Sequence, residues 1–420
     1  MRRNVLALII ANSLFGVAFG VYELALPLFL DDVDVRLEAI GLVLAAGAAA
    51  NFFIVIYGGR LTDLLGRKGI YGGNLLVVAA ATAVTPLFRH VAILAVLKTV
   101  WHASCSLGRT LRGVLVYESV PPERFTRRFG QLAGLEVSSH ALGFLCVGFV
   151  GVGAGAVLSY QGVFLISGLA VAIGALAFFL LFQERYHPTP PPEASTARLT
   201  LRGLFTPDLH PKLYLIMAAG FLAGAGFGVS HGLWTLYFRR QFDGPWSADL
   251  AGFDAWLQGA WPGLAAVWTA GGRGAQFALI SLIAVGHRLL MGIPMALIAP
   301  LLRRRLKGLY VGTMALQGFI LAGPAVADWL TGSFLLVTVL WASHDLLGAA
   351  VWLPIHERFI QTYSRPAHRG ADVARTKAVM VLGFALGMAA AGPLMAAEPA
   401  LPFLIGGVLV TAASLPLVFL

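Results

Sequence analysis

Lys98, His102, Cys105, Arg109 and Arg112 recur at intervals of 4, 3, 4 and 3 within a largely apolar stretch. At about 100° per helical residue, that spacing keeps all five within about 40° of one line. Three potential positive charges on one helix face suit an acid group as their ligand. Glu136 and His140 stand at i and i+4 in the next apolar stretch, at a depth that overlaps Arg112 and Arg109. An ion pair of Glu136 with either arginine is therefore the plain structural alternative, and Arg112 could also snorkel to the nearer surface. Other apolar runs hold Asn12 and Glu23, then His231, then His344 with Asp345. Buried carboxylic acids and imidazoles are suited to taking up and releasing protons. His356-Glu357 opens like a zinc-protease motif, but position 360 is Ile rather than the second His, so no enzyme, cofactor or metal is expected.

The elements that position these residues follow from composition. The 420 residues are 58% hydrophobic and 12% charged, beyond what a soluble core absorbs. Apolar stretches recur along the whole chain, most near the roughly 20 residues needed to cross a bilayer. Each must be a helix, because a backbone in lipid satisfies its own hydrogen bonds. Twelve spans are predicted, at 4–30, 37–57, 71–88, 91–117, 129–150, 161–183, 213–238, 274–300, 309–328, 333–357, 377–396 and 401–420. The first run stays apolar to Leu30 without a clear cleavage site, so it reads as a retained helix. Cys105 and Cys146 both fall inside spans and read as small buried residues.

With the N-terminus inside, most Lys and Arg fall in cytoplasmic loops, including Arg2, Arg3, Arg60, Arg67, Lys68, Arg303, Arg304 and Arg305. This bias places both termini in the cytoplasm. It also accounts for the net charge of +10 without a nucleic-acid partner. Residues 241–272 are read as an external loop with an interfacial helix, because Trp246, Trp256, Trp261 and Trp268 suit the headgroup boundary. The Pro-rich, hydrophilic stretch 184–212 reads as a cytoplasmic linker between two six-helix halves, 1–183 and 213–420. Abundant Arg, Gly and Ala hint at a GC-rich prokaryotic genome and an inner-membrane location.

The halves repeat one another. Gly16–Val21 matches Gly224–Val229, Lys68-Gly69-Ile70-Tyr71 matches Lys307-Gly308-Leu309-Tyr310, and Leu142-Gly143-Phe144 matches Leu382-Gly383-Phe384. Two parallel six-helix repeats joined by a linker belong to a class of secondary transporter whose site lies between the halves. The repeat also places His231 opposite Glu23.

Between spans 2 and 3 stands Gly59-Arg60-Leu61-Thr62-Asp63-Leu64-Leu65-Gly66-Arg67-Lys68. It resembles the signature loop G-x-L-x-D-x-x-G-R-K of the major facilitator superfamily (MFS), at every fixed position. The resemblance implies an all-α MFS fold and a gating role for Gly59, Asp63, Gly66 and Arg67, with Arg67 paired to Glu118 at the end of span 4. It further implies that spans 1, 4, 7 and 10 line a central cavity. Drug-antiporter motifs depart from the family pattern, with Lys98 where an Arg is usual and no G-x-x-x-G-P run in span 5. Sugar-porter motifs are missing.

The sequence therefore points to alternating-access transport of a small, acid-bearing organic solute coupled to protons, by a monomer in contact with membrane lipid. Candidate substrate-binding residues are Lys98, His102, Arg109, Arg112, Trp234, His344, Asp345 and Trp352. Candidate proton carriers are Glu23, Glu136, His140, His231 and Asp345. Proton-antiport export of lipophilic compounds is the alternative, and a non-transporting sensor or lipid-handling scaffold is the alternative of another class.

Overall fold

A computed structural model of the chain describes residues 2–150, 156–184, 209–262, 274–302, 305–365 and 369–420. Among them there is no strand. The first half comprises α1 (Arg2–Asp32), α2 (Leu37–Leu65), α3 (Arg67–Val84), α4 (Val91–Ser119), α5 (Pro122–Val150) and α6 (Ala156–Leu181). In the second half, span 7 is divided into α7 (Pro211–His231) and α8 (Trp234–Asp243). After α9 (Ser247–Ala260) come α10 (Gly274–Ile298) and α11 (Leu306–Thr331). Span 10 is divided into α12 (Phe334–Ser343) and α13 (Ala349–Tyr363). The chain closes with α14 (Arg369–Ala397), α15 (Leu401–Ala412) and α16 (Ser414–Leu417).

Nine helices among the described residues are long and apolar enough to cross a membrane. The 29-residue α5, the pair α12–α13 and the pair α15–α16 supply the remaining spans. The architecture is that of a multi-pass membrane protein with two six-helix bundles. Two departures from the expected spans concern continuity. Span 7 breaks at Gly232-Leu233, and span 10 breaks over 344–348. Hydropathy averages over such breaks and cannot register them.

Glycines bring the helices close enough to fix the bundles. A Cβ at Gly16 or Gly20 of α1 would run into the backbone carbonyls of Glu136 and His140 on α5, and one at Gly143 would meet that of Val17. The second half repeats this contact: Gly224 and Gly228 of α7 lie against the carbonyls of Met380 and Phe384 on α14, and Gly383 against that of Phe221. Small residues at such crossings let backbones pack without a side chain between them. Between the halves, α2 packs on α14 and α5 on α10.

Asn4 donates to the carbonyl of Gln183 on the face that also carries Leu420, called basal below. The opposite, apical face carries Asp32 and Arg239. Of the 241–272 segment, Ser247–Ala260 form α9, where Phe253 and Leu257 pack on Phe277 and Ala278, and 263–272 lie outside the described residues. Trp256 and Trp261 are exposed, as a boundary helix requires. Trp246 departs from that expectation. It is buried, because its Nε1–H donates to the Gly332 carbonyl at 2.9 Å and its ring meets Phe334. Trp268 lies outside the described residues.

Candidate functional site

The 4-3-4-3 spacing does form one face of α4, yet its members have different surroundings. Arg112 is buried and pairs with Glu136, with Asn12 Oδ1 accepting from its Nη1 at 3.3 Å. Arg109 donates through Nε to the same carboxylate at 2.9 Å, and its guanidinium lies 3.9 Å from the Phe19 ring centroid. Glu136 thus serves both arginines at 2% exposure, which suits charge balance between α4 and α5. Arg112 does not snorkel, because that carboxylate holds it inside. The Arg109 side chain remains 34% exposed, and no hydrogen bond engages its two Nη groups among the described residues. Lys98 Nζ lies 4.4 Å from the Trp101 ring centroid and 5.1 Å from that of Tyr22. The His102 ring faces Phe384 of the other half, and its Nδ1 makes no hydrogen bond. Cys105 is buried and free.

Across the interface, Glu23 of α1 forms an ion pair with Arg288 of α10. Its other oxygen lies 3.9 Å from Nδ1 of His140, a ring stacked on Phe19. The repeat placed His231 opposite Glu23, whose ion-pair partner is Arg288, next in sequence to His287, whose ring lies 6.1 Å from that of His231. His231 turns into its own half, where its Nε2 lies 3.2 Å from Nε2 of His344. His344 and Asp345 both lie in the turn that separates the two parts of span 10.

The convergence includes a residue that spacing gave no reason to select. His287 Nε2 of α10 lies 3.3 Å from Asp345 Oδ2, and His344 Nε2 lies 3.4 Å from Asp345 Oδ1. Gln317 donates to Asp345, and Trp352 donates to Gln317. Trp352 and Trp234 are each at most 3% exposed, and Trp234 stacks on Trp341. His287, Arg288 and Gln317 come from spans 8 and 9, which the cavity-helix argument omitted. The ionisable types at 287 and 288 inside an apolar run were the available signal.

At the basal face Arg67 pairs with Glu118. Gly66 has φ +86°, the left-handed conformation that favours glycine, and it ends α2 so that α3 can begin. The backbone N–H groups of Arg67 and Lys68 donate to Glu184 Oε1 at 2.5 and 3.1 Å, a cap on α3 not anticipated from the loop motif. Gly59 and Asp63 lie on α2 where side chains are outside the described residues. Elsewhere on the basal face, a Cβ at Gly113 of α4 would touch Glu357 of α13, so the halves meet there. At the apical face Arg239 of α8 reaches Asp31 at 2.9 Å and Asp32 at 2.6 Å across the interface.

Comparison with known proteins converges on one group. The model of the Major Facilitator Superfamily matches residues 8–273. The quinolone resistance protein NorA of Staphylococcus aureus is 25% identical over 182 residues, covering 43% of this chain. The match spans 44% of the length of NorA. Among solved structures, the human organic anion transporter MFSD10 (TETRAN) superposes with TM-score 0.69 at 17% identity, over 99% of both chains. A mutant of the nucleoside transporter NupG does so with TM-score 0.63 at 13% identity, over 99% of this chain and 98% of its own. Those two likenesses concern the fold.

Proposed function

The chain belongs to the major facilitator superfamily, and from that membership we propose that it moves a small, acid-bearing organic solute by alternating access coupled to protons. The observation that carries this reading is the Glu23–Arg288 ion pair, which joins the two halves inside the membrane. A proton on Glu23 removes the charge that holds Arg288, so protonation and the relation of the halves become linked. Arg109 takes the substrate. Its Nε is held by Glu136 while its Nη groups are available as a fork for a carboxylate, with Phe15 and Phe19 beside it. Lys98 adds positive charge nearby. Arg67, Glu118, Gly66 and the motif residues Asp63 and Gly59 gate the basal side, which we take as cytoplasmic in an inner membrane.

The partial match to a resistance protein supports a second reading, export of lipophilic compounds by proton antiport. Counterflow in proteoliposomes separates the two. A panel of small carboxylates and organic phosphates is run beside lipophilic amines. Exchange of an acid-bearing solute by the wild type, lost in Arg109→Ala, supports the first reading. Exchange confined to lipophilic amines and unaffected by that substitution supports the second and overturns the first.

A further inference from the structure

Four side chains from three spans converge where two of those spans break. His231 ends α7 just before the Gly232-Leu233 break, and His344 and Asp345 lie in the break between α12 and α13. His287 reaches in from the continuous α10. Their donor atoms all lie within 4.8 Å of one another. Broken membrane helices are tolerated where the unwound segment is buried in protein or lines a cavity, and in transporters such breaks form ion sites.

The hydrogen bonds around the cluster decide its protonation. The Ser230 hydroxyl donates its only hydrogen to the Gly226 carbonyl at 2.9 Å, so toward His231 Nδ1, 3.0 Å away, it can only accept. His344 Nδ1 faces the Trp341 carbonyl at 2.6 Å and must also be a donor. Both Nε2 atoms then present lone pairs to each other at 3.2 Å, an arrangement that requires a cation between them. A single proton would satisfy that pair but leave His287, which is 2% exposed and whose Nε2 lies 3.3 Å from Asp345 Oδ2 without hydrogen-bond geometry. One metal ion accepts a lone pair from each of the three imidazoles and from the carboxylate together.

We propose that His231, His287, His344 and Asp345 bind one divalent first-row metal ion of the Zn2+ class. Metal–ligand bonds of about 2.0–2.1 Å at tetrahedral angles put neighbouring donors roughly 3.3 Å apart. Three donor pairs stand at 3.2, 3.3 and 3.4 Å, the last two through different oxygens of Asp345, and the four ligand atoms together span up to 4.8 Å, so binding draws the set inward. Three imidazoles and one carboxylate select Zn2+ and its neighbours over Mg2+ or Ca2+, which take oxygen ligands. The surrounding contacts match those of metal sites, with each of two imidazoles held through its other nitrogen and the carboxylate held by Gln317. Bound there, the ion ties α7, α10 and the break of span 10 together within the second half. In this assignment His231 and Asp345 are ligands rather than proton carriers, and the proposal does not depend on substrate identity.

The test uses the full chain, purified in detergent and stripped with a chelator, then titrated with Zn2+ and with Co2+. The wild type is expected to bind one ion per chain, raise its unfolding temperature, and give the intense visible absorption of four-coordinate Co2+. Gln317→Leu should weaken binding about 10–100-fold. His287→Ala and Asp345→Asn should weaken it further and abolish the Co2+ spectrum, whereas His102→Ala should retain both. A folded, monodisperse wild type that binds no ion stoichiometrically overturns the proposal. So does binding that survives the combined His287→Ala and Asp345→Asn substitutions.

Discussion

At 2% exposure, the carboxylate of Glu136 is the counter-ion of both Arg109 and Arg112. Glu136→Gln would leave the buried Arg112 guanidinium without its counter-ion, a change of the kind that costs about 3–5 kcal/mol, and Arg109 without its Nε partner. A clear fall in the detergent unfolding temperature is expected, larger than that of Arg112→Ala, which leaves Arg109 and Glu136 paired. Equal effects would count against a shared counter-ion. This pairing was legible because α4 and α5 are adjacent in sequence and helical spacing fixes which residues share a depth. The partner of Glu23 was not. Arg288 lies 265 positions away, and nothing in local spacing encodes a contact between α1 and α10.

The elements were readable to the extent that apolar length determines them. The α1–α5 and α7–α14 crossings also left a sequence trace, since the matched Gly143 and Gly383 stand at equivalent close approaches. Gly143→Leu and Gly383→Leu should each destabilise the protein by about 1–3 kcal/mol through overpacking. Thermal unfolding in detergent checks this, and a neutral effect at both positions would mean the helices can separate without cost. The breaks in spans 7 and 10 went unread because hydropathy is averaged over about 20 residues, although Ser230-His231-Gly232 and Ser343-His344-Asp345 with Gly348 mark both places in the sequence. His231, His344 and Asp345 all lie at or beside these breaks.

At the scale of the whole molecule, the halves touch at both faces. Apically, Arg239 bridges to Asp31 and Asp32. Arg239→Ala should shift the population toward an apically open form, seen as longer spin-label distances between the apical ends of α1 and α8. Unchanged distances would deny the bridge a gating role. Orientation is checked separately by single cysteines at Ser195 and Ser247, expected to label from opposite sides of the membrane.

The account rests on Glu23 as the group that couples protons to movement of the halves. Its most direct test compares Glu23→Gln with wild type in proteoliposomes, measuring both substrate exchange at equal pH and accumulation driven by a pH gradient. Exchange should persist while pH-driven accumulation is lost, because the neutral amide no longer alternates between a proton and Arg288. Accumulation equal to wild type would contradict the account and place the proton elsewhere.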